Sequence, residues 1–137
     1  MMDDETLNGT LVMVNPVLWD DPANRMGQIG VIYEADTAHD YFIVRFDDKE
    51  KSAYSADALL VLKSPDQLFE YIENHSATLS PEILKDLNSM ALLQEHGRLK
   101  HLKTAFELAQ SDDNLTLYGM ISLEESLGLN QIYKRGR

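Results

Sequence analysis

Apolar and polar positions alternate along the first half of the chain, and this alternation predicts about five short β-strands. The predicted strands occupy residues 9–14, 28–34, 41–46, 51–55 and 59–62. A period of two is typical of a strand with one buried face, so Phe42, Val44 and Phe46 are expected to point into a core. The last strand is expected to pair with the first, which would close the sheet into a small antiparallel barrel.

A glycine within the second predicted strand and a long loop before it bear on the shape of the barrel and on its ligands. Gly30 lies inside a strand, where glycine usually marks a bulge, a sharp bend or a close backbone approach. Residues 15–26 are too rich in turn-forming residues for regular structure and predict a long loop. Trp19 in this loop has two interpretations. It is either a buried plug over the open end of the barrel, as the usual burial of large aromatics favours, or an exposed contact for a ligand.

The second half of the chain has the periodicity of helices that bury one apolar face. Ser64 and Ser80, each followed by proline, are helix start signals in which the serine caps and the proline takes the first helical position. The apolar faces before and after Gly97 differ in phase, which predicts two antiparallel helices or one bent helix. A further helix, capped by Asp112 or Asp113 and interrupted by a glycine, is expected near the end.

Composition narrows the classes of function. The 137 residues include 23 acidic and 12 basic side chains, a net charge of -11 that repels phosphate backbones and anionic lipid and favours a basic partner. The chain has no cysteine, which excludes disulfides, thiolate metal sites and thiol nucleophiles. No segment reaches membrane-spanning length and no secretory signal is visible, so a soluble cytoplasmic protein is expected.

The order of the predicted elements resembles that of SH3-like barrels, in particular their KOW-type and Tudor-like relatives. The resemblance covers residues 9–62, and the residues that carry it are 27–32, 42–46 and Tyr54 with Asp57, Ala58 and Leu59. It implies an SH3-like barrel of about five strands over residues 1–63. A helical region of three or four helices over residues 64–137, packed on the barrel, completes the expected α+β fold.

The two groups of relatives imply different ligands. KOW-type relatives often bind RNA or ribosomal and transcription proteins, whereas Tudor-like relatives bind methylated side chains in an aromatic cage. Acidic residues surround the glycine-containing strand of this chain, where KOW-type relatives have basic ones.

The resemblance implies that barrel loops bring aromatic and acidic residues together in a peptide-binding site suited to a cationic or proline-rich peptide. The candidate residues are Trp19, Asp20, Asp21, Tyr33, Tyr41 and Tyr54. The alternative is that the same aromatic residues pack the helical region against the barrel.

A second candidate site is the one basic concentration within a predicted helical region. Arg98, Lys100, His101 and Lys103 form either an anion or nucleic-acid patch or an ordinary solvated helix face. On a helix, Lys100 and Lys103 are expected on the solvent side.

The sequence gives little support to metal or catalytic chemistry. His96 and His101 are five residues apart with a glycine between them, not the three or four of a helical zinc pair, so no metal or cofactor is expected. No phosphate-binding loop or nucleophile motif is present. The leading hypothesis is a non-catalytic protein-binding or peptide-binding module. The alternatives are a KOW-like nucleic-acid or ribosome-associated factor and a small enzyme with a deep pocket.

Overall fold

The structure is a computed structural model that describes residues 4–17 and 24–128. These residues form a mixed α+β fold with an antiparallel six-stranded sheet and five α-helices. The strands are β1 Leu11–Val14, β2 Ile29–Asp36, β3 Tyr41–Phe46, β4 Lys51–Tyr54, β5 Leu59–Leu62 and β6 Met120–Ser122. The helices are α1 Pro65–His75, α2 Pro81–His96, α3 Leu99–Gln110, α4 Asp113–Gly119 and α5 Leu123–Leu127. Single 3₁₀ turns occupy Asp4–Leu7, Thr37–His39 and Ala56–Ala58.

The strand order in the sheet is β4-β3-β2-β1-β5-β6. The expected pairing of the fifth strand with the first is confirmed, with Met13 opposite Leu60 and Val14 opposite Leu59. The ladder formed by the described residues is open, with β4 and β6 at its two edges, so barrel closure stays a prediction. β6 is not predicted from the sequence, because a strand of three residues is too short to show an alternation.

The chain forms two compact units. The first comprises the chain up to Val61 and again from Ser122, and the second comprises Leu62–Ile121. The predicted division assigns all of residues 64–137 to a helical region, whereas here the chain returns to the first unit at Ser122. Leu123, the first residue of α5, is buried in the core of that unit.

The core of the first unit is built from the inward faces of its strands. Phe42, Val44 and Phe46 are all buried, which confirms the inward set read from the alternation. Burial of an apolar side chain of this size contributes roughly 1.5–3 kcal/mol, so these three positions account for a large part of the unit's stability. Val12, Val14, Ile32, Tyr54, Ala56, Ala58, Leu59 and Leu123 belong to the same cluster.

Gly30 allows β2 to approach β3 closely. A Cβ atom at this position would lie 2.6 Å from Cγ1 of Val44 and 2.8 Å from the carbonyl oxygen of Arg45. The register between the same strands shifts between Ile32 and Glu34, which places a bulge at Tyr33. The expectation that glycine marks a close backbone approach is confirmed.

In the second unit the helix signals of the sequence are confirmed. Ser64 forms a full capping box with Gln67 at the start of α1, and Ser80 accepts a hydrogen bond from the N–H of Ile83 at the start of α2. Gly97 has a φ of 71° and ends α2, so the two-helix interpretation of that region holds. Asp112 caps α4 by accepting from the N–H of Asn114. None of the helices in the described ranges is long and apolar enough to cross a membrane.

Candidate functional site

The side chains of β2, β3 and β4 that point away from the core form one exposed surface, which we call the outer face. Its main residues are Tyr33, Tyr41, Ile43, Arg45 and Lys51. The antiparallel register places Arg45 between Val31 and Lys51, and Ile43 between Glu34 and Ala53. Tyr41 lies opposite Asp36. The alternation that buries Phe42 and Val44 therefore exposes their neighbours on β3.

Tyr33 lies at the bulge in β2 and is 48% exposed. The Nζ atom of Lys51 lies 3.8 Å from the centroid of its ring, and Cζ of Arg45 lies 5.8 Å from it. Exposed cation–π contacts contribute about 0.5–1 kcal/mol each. The π surface of Tyr33, which the sequence analysis offered to a cationic peptide, is thus already in contact with two cations of the chain itself.

Tyr41 marks the other end of the outer face and is 47% exposed. It is four residues from Arg45 along β3, a distance of about 13 Å. Asp36 lies opposite and binds Nδ1 of His39 through Oδ2 at 2.8 Å. That hydrogen bond lowers the pKa of the Asp36 carboxyl group below its ordinary value. The outer face therefore has a cationic end around Tyr33 and an acidic end around Tyr41.

Tyr54 is part of the core and does not join the other two tyrosines. Its ring is only 7% exposed and packs edge-to-face against Phe46, with centroids 6.5 Å apart. On β4 it lies opposite Phe42, a residue of the inward set, so parity directs its side chain inward. This burial does not fit the predicted role of Tyr54 as a peptide contact. The remaining predicted site residues Trp19, Asp20 and Asp21 lie outside the described residues. The same holds for Lys134, Arg135 and Arg137 near the end of the sequence, which the nucleic-acid hypothesis also uses.

Two polar contacts that the sequence analysis missed hold the loops of this unit. Arg25 pairs with Asp48 in the turn between β3 and β4 at 2.7 Å, and its guanidinium lies 4.7 Å from the centroid of the Phe46 ring. The Arg25 hydrogen bond is the main cause of a lowered pKa at Asp48. The side chain of Asp40 accepts from the backbone N–H of Ala56 at 2.8 Å. Both contacts join residues far apart in sequence, and no local motif announces them.

In the second unit, the predicted basic patch lies at the start of α3. Arg98 takes the capping position of that helix without a side-chain cap, and Lys100 and Lys103 are exposed, as predicted. His101 is partly buried, and its Nδ1 atom has no hydrogen-bond partner. Burial is the first cause of a lowered His101 pKa, and the nearby charges of His96, Lys100 and Arg98 add to it.

A second aromatic cluster in this unit was not predicted. The ring of Tyr71 stacks on His75 with centroids 4.0 Å apart and on Tyr118 at 5.5 Å, and Nζ of Lys63 lies 4.3 Å from its centroid. Nδ1 of His75 also binds the carbonyl oxygen of Tyr71 at 2.9 Å. Burial raises the pKa of the Tyr71 hydroxyl. The four side chains stack on one another, so we assign this cluster a structural role.

Within residues 4–17 and 24–128, no three His, Cys, Asp or Glu side chains are grouped so that they could hold a metal ion. Comparison of the chain with protein-family models, curated proteins and solved structures gives no significant match.

Proposed function

We propose that this chain is a non-catalytic protein-binding module that contacts its partner through the outer face of β2, β3 and β4. The observation that carries the proposal is the exposure of two tyrosines, Tyr33 and Tyr41, at nearly half of their surface on one side of one sheet. Tyrosine is enriched among the residues that dominate binding energy at protein interfaces, because it combines a large apolar ring with a polar hydroxyl.

The surroundings of the two tyrosines support an interface. Ile43 lies on the same face between the two ends and is only partly buried, so it adds apolar surface to the centre of the patch. Charged side chains surround this apolar centre, which is the usual arrangement of a hydrophobic core with a polar rim. Because β-strands are rigid, the tyrosines need little ordering on binding, and this reduces the entropic cost of association.

The proposed fold of this unit is an SH3-like barrel. The strand order β4-β3-β2-β1-β5 and the single 3₁₀ turn between β4 and β5 support that resemblance. Such barrels host binding sites of many kinds, which agrees with the proposed role.

The charge distribution of the outer face defines the partner's chemistry. Lys51 and Arg45 favour an acidic group next to Tyr33, whereas Asp36 favours a basic group next to Tyr41. The net charge of -11 favours a partner that is basic overall. We therefore propose a basic protein or peptide whose contact segment presents an acidic residue at one end, and this polarity fixes its direction on the sheet.

The second candidate function is nucleic-acid binding through Arg98, Lys100, His101 and Lys103. The observation that favours it is the exposure of Arg98, Lys100 and Lys103 within two turns at the start of α3. Nucleic-acid binding of this kind depends on counterion release, so a salt titration with generic RNA separates the two candidates. A steep loss of affinity with salt would favour RNA, and no RNA binding at low salt would remove this candidate.

Affinity capture tests the main proposal, using a cell extract of the source organism and purified chain as bait. We expect Tyr41→Ser and Tyr33→Ser to lose a partner that the wild type retains, with a Kd at least about tenfold weaker for the isolated partner. Leu117→Ser is the matched control, because Leu117 is 69% exposed on α4 in the other unit. Recovery of the same partners by the tyrosine variants would contradict the proposal.

A further inference from the structure

We propose that His96 and His101, at the junction of α2 and α3, form a site for a divalent transition metal of the kind that prefers imidazole, such as Zn²⁺ or Ni²⁺. Two protein nitrogens would bind the metal, and water would complete its coordination. This site lies in the helical unit and is independent of the proposed protein-binding function.

The turn between the helices brings the two rings together. Gly97 follows His96 in the left-handed conformation, with a φ of 71°, and the chain then enters α3 at Leu99. The ring centroids of His96 and His101 are 4.9 Å apart, with an angle of 35° between the planes. The spacing of five, unsuitable within one helix, therefore becomes suitable across a helix junction.

The separation of the rings matches coordination to a shared ion. We take metal–nitrogen bonds of about 2.0–2.1 Å and an N–metal–N angle between the square-planar and the tetrahedral value. The centroids of two imidazoles on one metal then lie about 4.5–5.2 Å apart. The observed value lies inside this range. The centroid distance is therefore compatible with one ion held by both rings.

His101 also differs from His39 and His75 in its hydrogen bonding. Nδ1 of His39 binds Asp36, and Nδ1 of His75 binds the carbonyl oxygen of Tyr71. Nδ1 of His101 is buried without a partner, and among the described residues it is the only such buried side-chain nitrogen or oxygen. A buried unsatisfied atom of this kind needs an explanation, and a bound ion is one. No hydrogen bond at this nitrogen would have to be broken for a metal to bind.

The surroundings determine which metals fit. His96 is exposed, so its ring is open to an ion from solvent. Arg98 and Lys100 lie close by and oppose a cation, and no carboxylate group is part of the pair. The site is therefore unsuited to Mg²⁺ and Ca²⁺, which require oxygen ligands, and depends on the affinity of transition metals for imidazole.

Titration calorimetry of the full chain with Zn²⁺ alone and with Ni²⁺ alone tests the proposal. The buffer should not coordinate metals, and its pH should be about 7.5, roughly one unit above the ordinary histidine pKa. We expect one ion per chain in the wild type. Loss of one ligand, in His96→Ala or in His101→Asn, should weaken binding by about tenfold or more. His39→Ala and His75→Ala are the matched controls and should bind as the wild type does.

A second measurement avoids any loss of folding in the variants. In the wild-type chain, substoichiometric Ni²⁺ should broaden the imidazole proton signals of His96 and His101 before those of His39 and His75. Broadening of that pair together with the affinity pattern above would support the site. Failure of the wild type to bind either metal, equal broadening of all four histidines, or unchanged affinity in either pair variant would overturn it.

Discussion

The carboxylate of Asp40 accepts a hydrogen bond of 2.8 Å from the backbone N–H of Ala56, and so ties the turn after β2 to the 3₁₀ turn before β5. Ala56 is fully buried, so its N–H has no access to water if this bond is lost. Asp40 itself has a φ of 52°, a left-handed conformation that Asp and Asn tolerate better than most residues. One side chain thus serves both a conformational and a hydrogen-bonding role.

Asp40→Ala should lower the free energy of unfolding by about 2–4 kcal/mol. The lost bond contributes about 1–3 kcal/mol and the left-handed alanine about 1 kcal/mol more. Asp40→Gly removes the bond without the conformational strain, and Asp40→Asn keeps an acceptor oxygen. Urea unfolding should therefore rank stability as wild type, Asn, Gly and Ala, in falling order. Equal stability of the Ala and Asn variants would show that the bond contributes nothing.

Gly30→Ala should be clearly destabilising, whereas Gly119→Ala should be close to neutral. A methyl group at position 30 meets the backbone oxygen of Arg45, which cannot move without disturbing the sheet, and overpacking of this kind costs about 1–3 kcal/mol. A methyl group at position 119 meets Cε of Met90, the flexible end of an adaptable side chain. Thermal unfolding of both variants measures the difference, and a larger loss at position 119 would contradict this account.

A double-mutant cycle tests whether Lys51 contacts the Tyr33 ring in solution. Truncation by Lys51→Met and Tyr33→Leu should show a coupling of about 0.5–1 kcal/mol in the free energy of unfolding. The control cycle combines Lys51→Met with Tyr41→Leu, because Tyr41 lies at the other end of the outer face. Its coupling should be near zero. Equal coupling in the two cycles would show that the measured energy is not specific to the Tyr33 contact.

Stability should fall in two steps as the pH is lowered. His101 has a lowered pKa in the folded chain, so the unfolded chain binds a proton more readily and gains population as the pH falls through the ordinary histidine value of 6.5. Asp36 and Asp48 also have lowered pKa values, so their contribution is present above the ordinary value of 3.8 and is lost as the pH falls through their lower folded values.

Urea midpoints in metal-free buffer containing a chelator measure this pH dependence. His101→Asn should remove the step near neutral pH and keep the acidic one. Asp36→Asn should reduce only the acidic step, because it removes one of the two carboxyl groups whose pKa is lowered in the folded chain. The test for His101 is the change in urea midpoint as the pH falls from about 7 to about 5, a range that includes the ordinary histidine pKa of about 6.5. If the wild-type midpoint rises over this range relative to that of His101→Asn, the expected loss of stability on protonation of His101 is contradicted.

The parts of the fold that the sequence predicted depend on neighbours along the chain. The alternation of side chains along β3 is enough to place Phe42, Val44 and Phe46 on the buried face. The Ser64 cap is likewise formed within one turn of α1. The return of the chain to the first unit at Ser122 depends on contact between α5 and the 3₁₀ turn Ala56–Ala58, more than sixty positions earlier, and no local pattern specifies it.

The candidate site was predicted only in part, for a similar reason. The bulge at Tyr33 changes which residues of β2 share a face, and a count of alternate positions does not reveal it. The contact of Lys51 with that ring depends on the register of three strands. The close approach of the His96 and His101 rings depends on the angle of a helix junction, which spacing along the sequence does not give.

Because the chain returns to the first unit at Ser122, the helical unit is an insertion within the sequence of the first unit. A chain truncated after Leu62 would lack Leu123 and would expose the apolar surface that this side chain covers. Such a chain should therefore aggregate more readily than the whole protein. A smaller version of the binding unit is better made by deleting residues 62–121 and joining the two cut ends with a short glycine-containing linker.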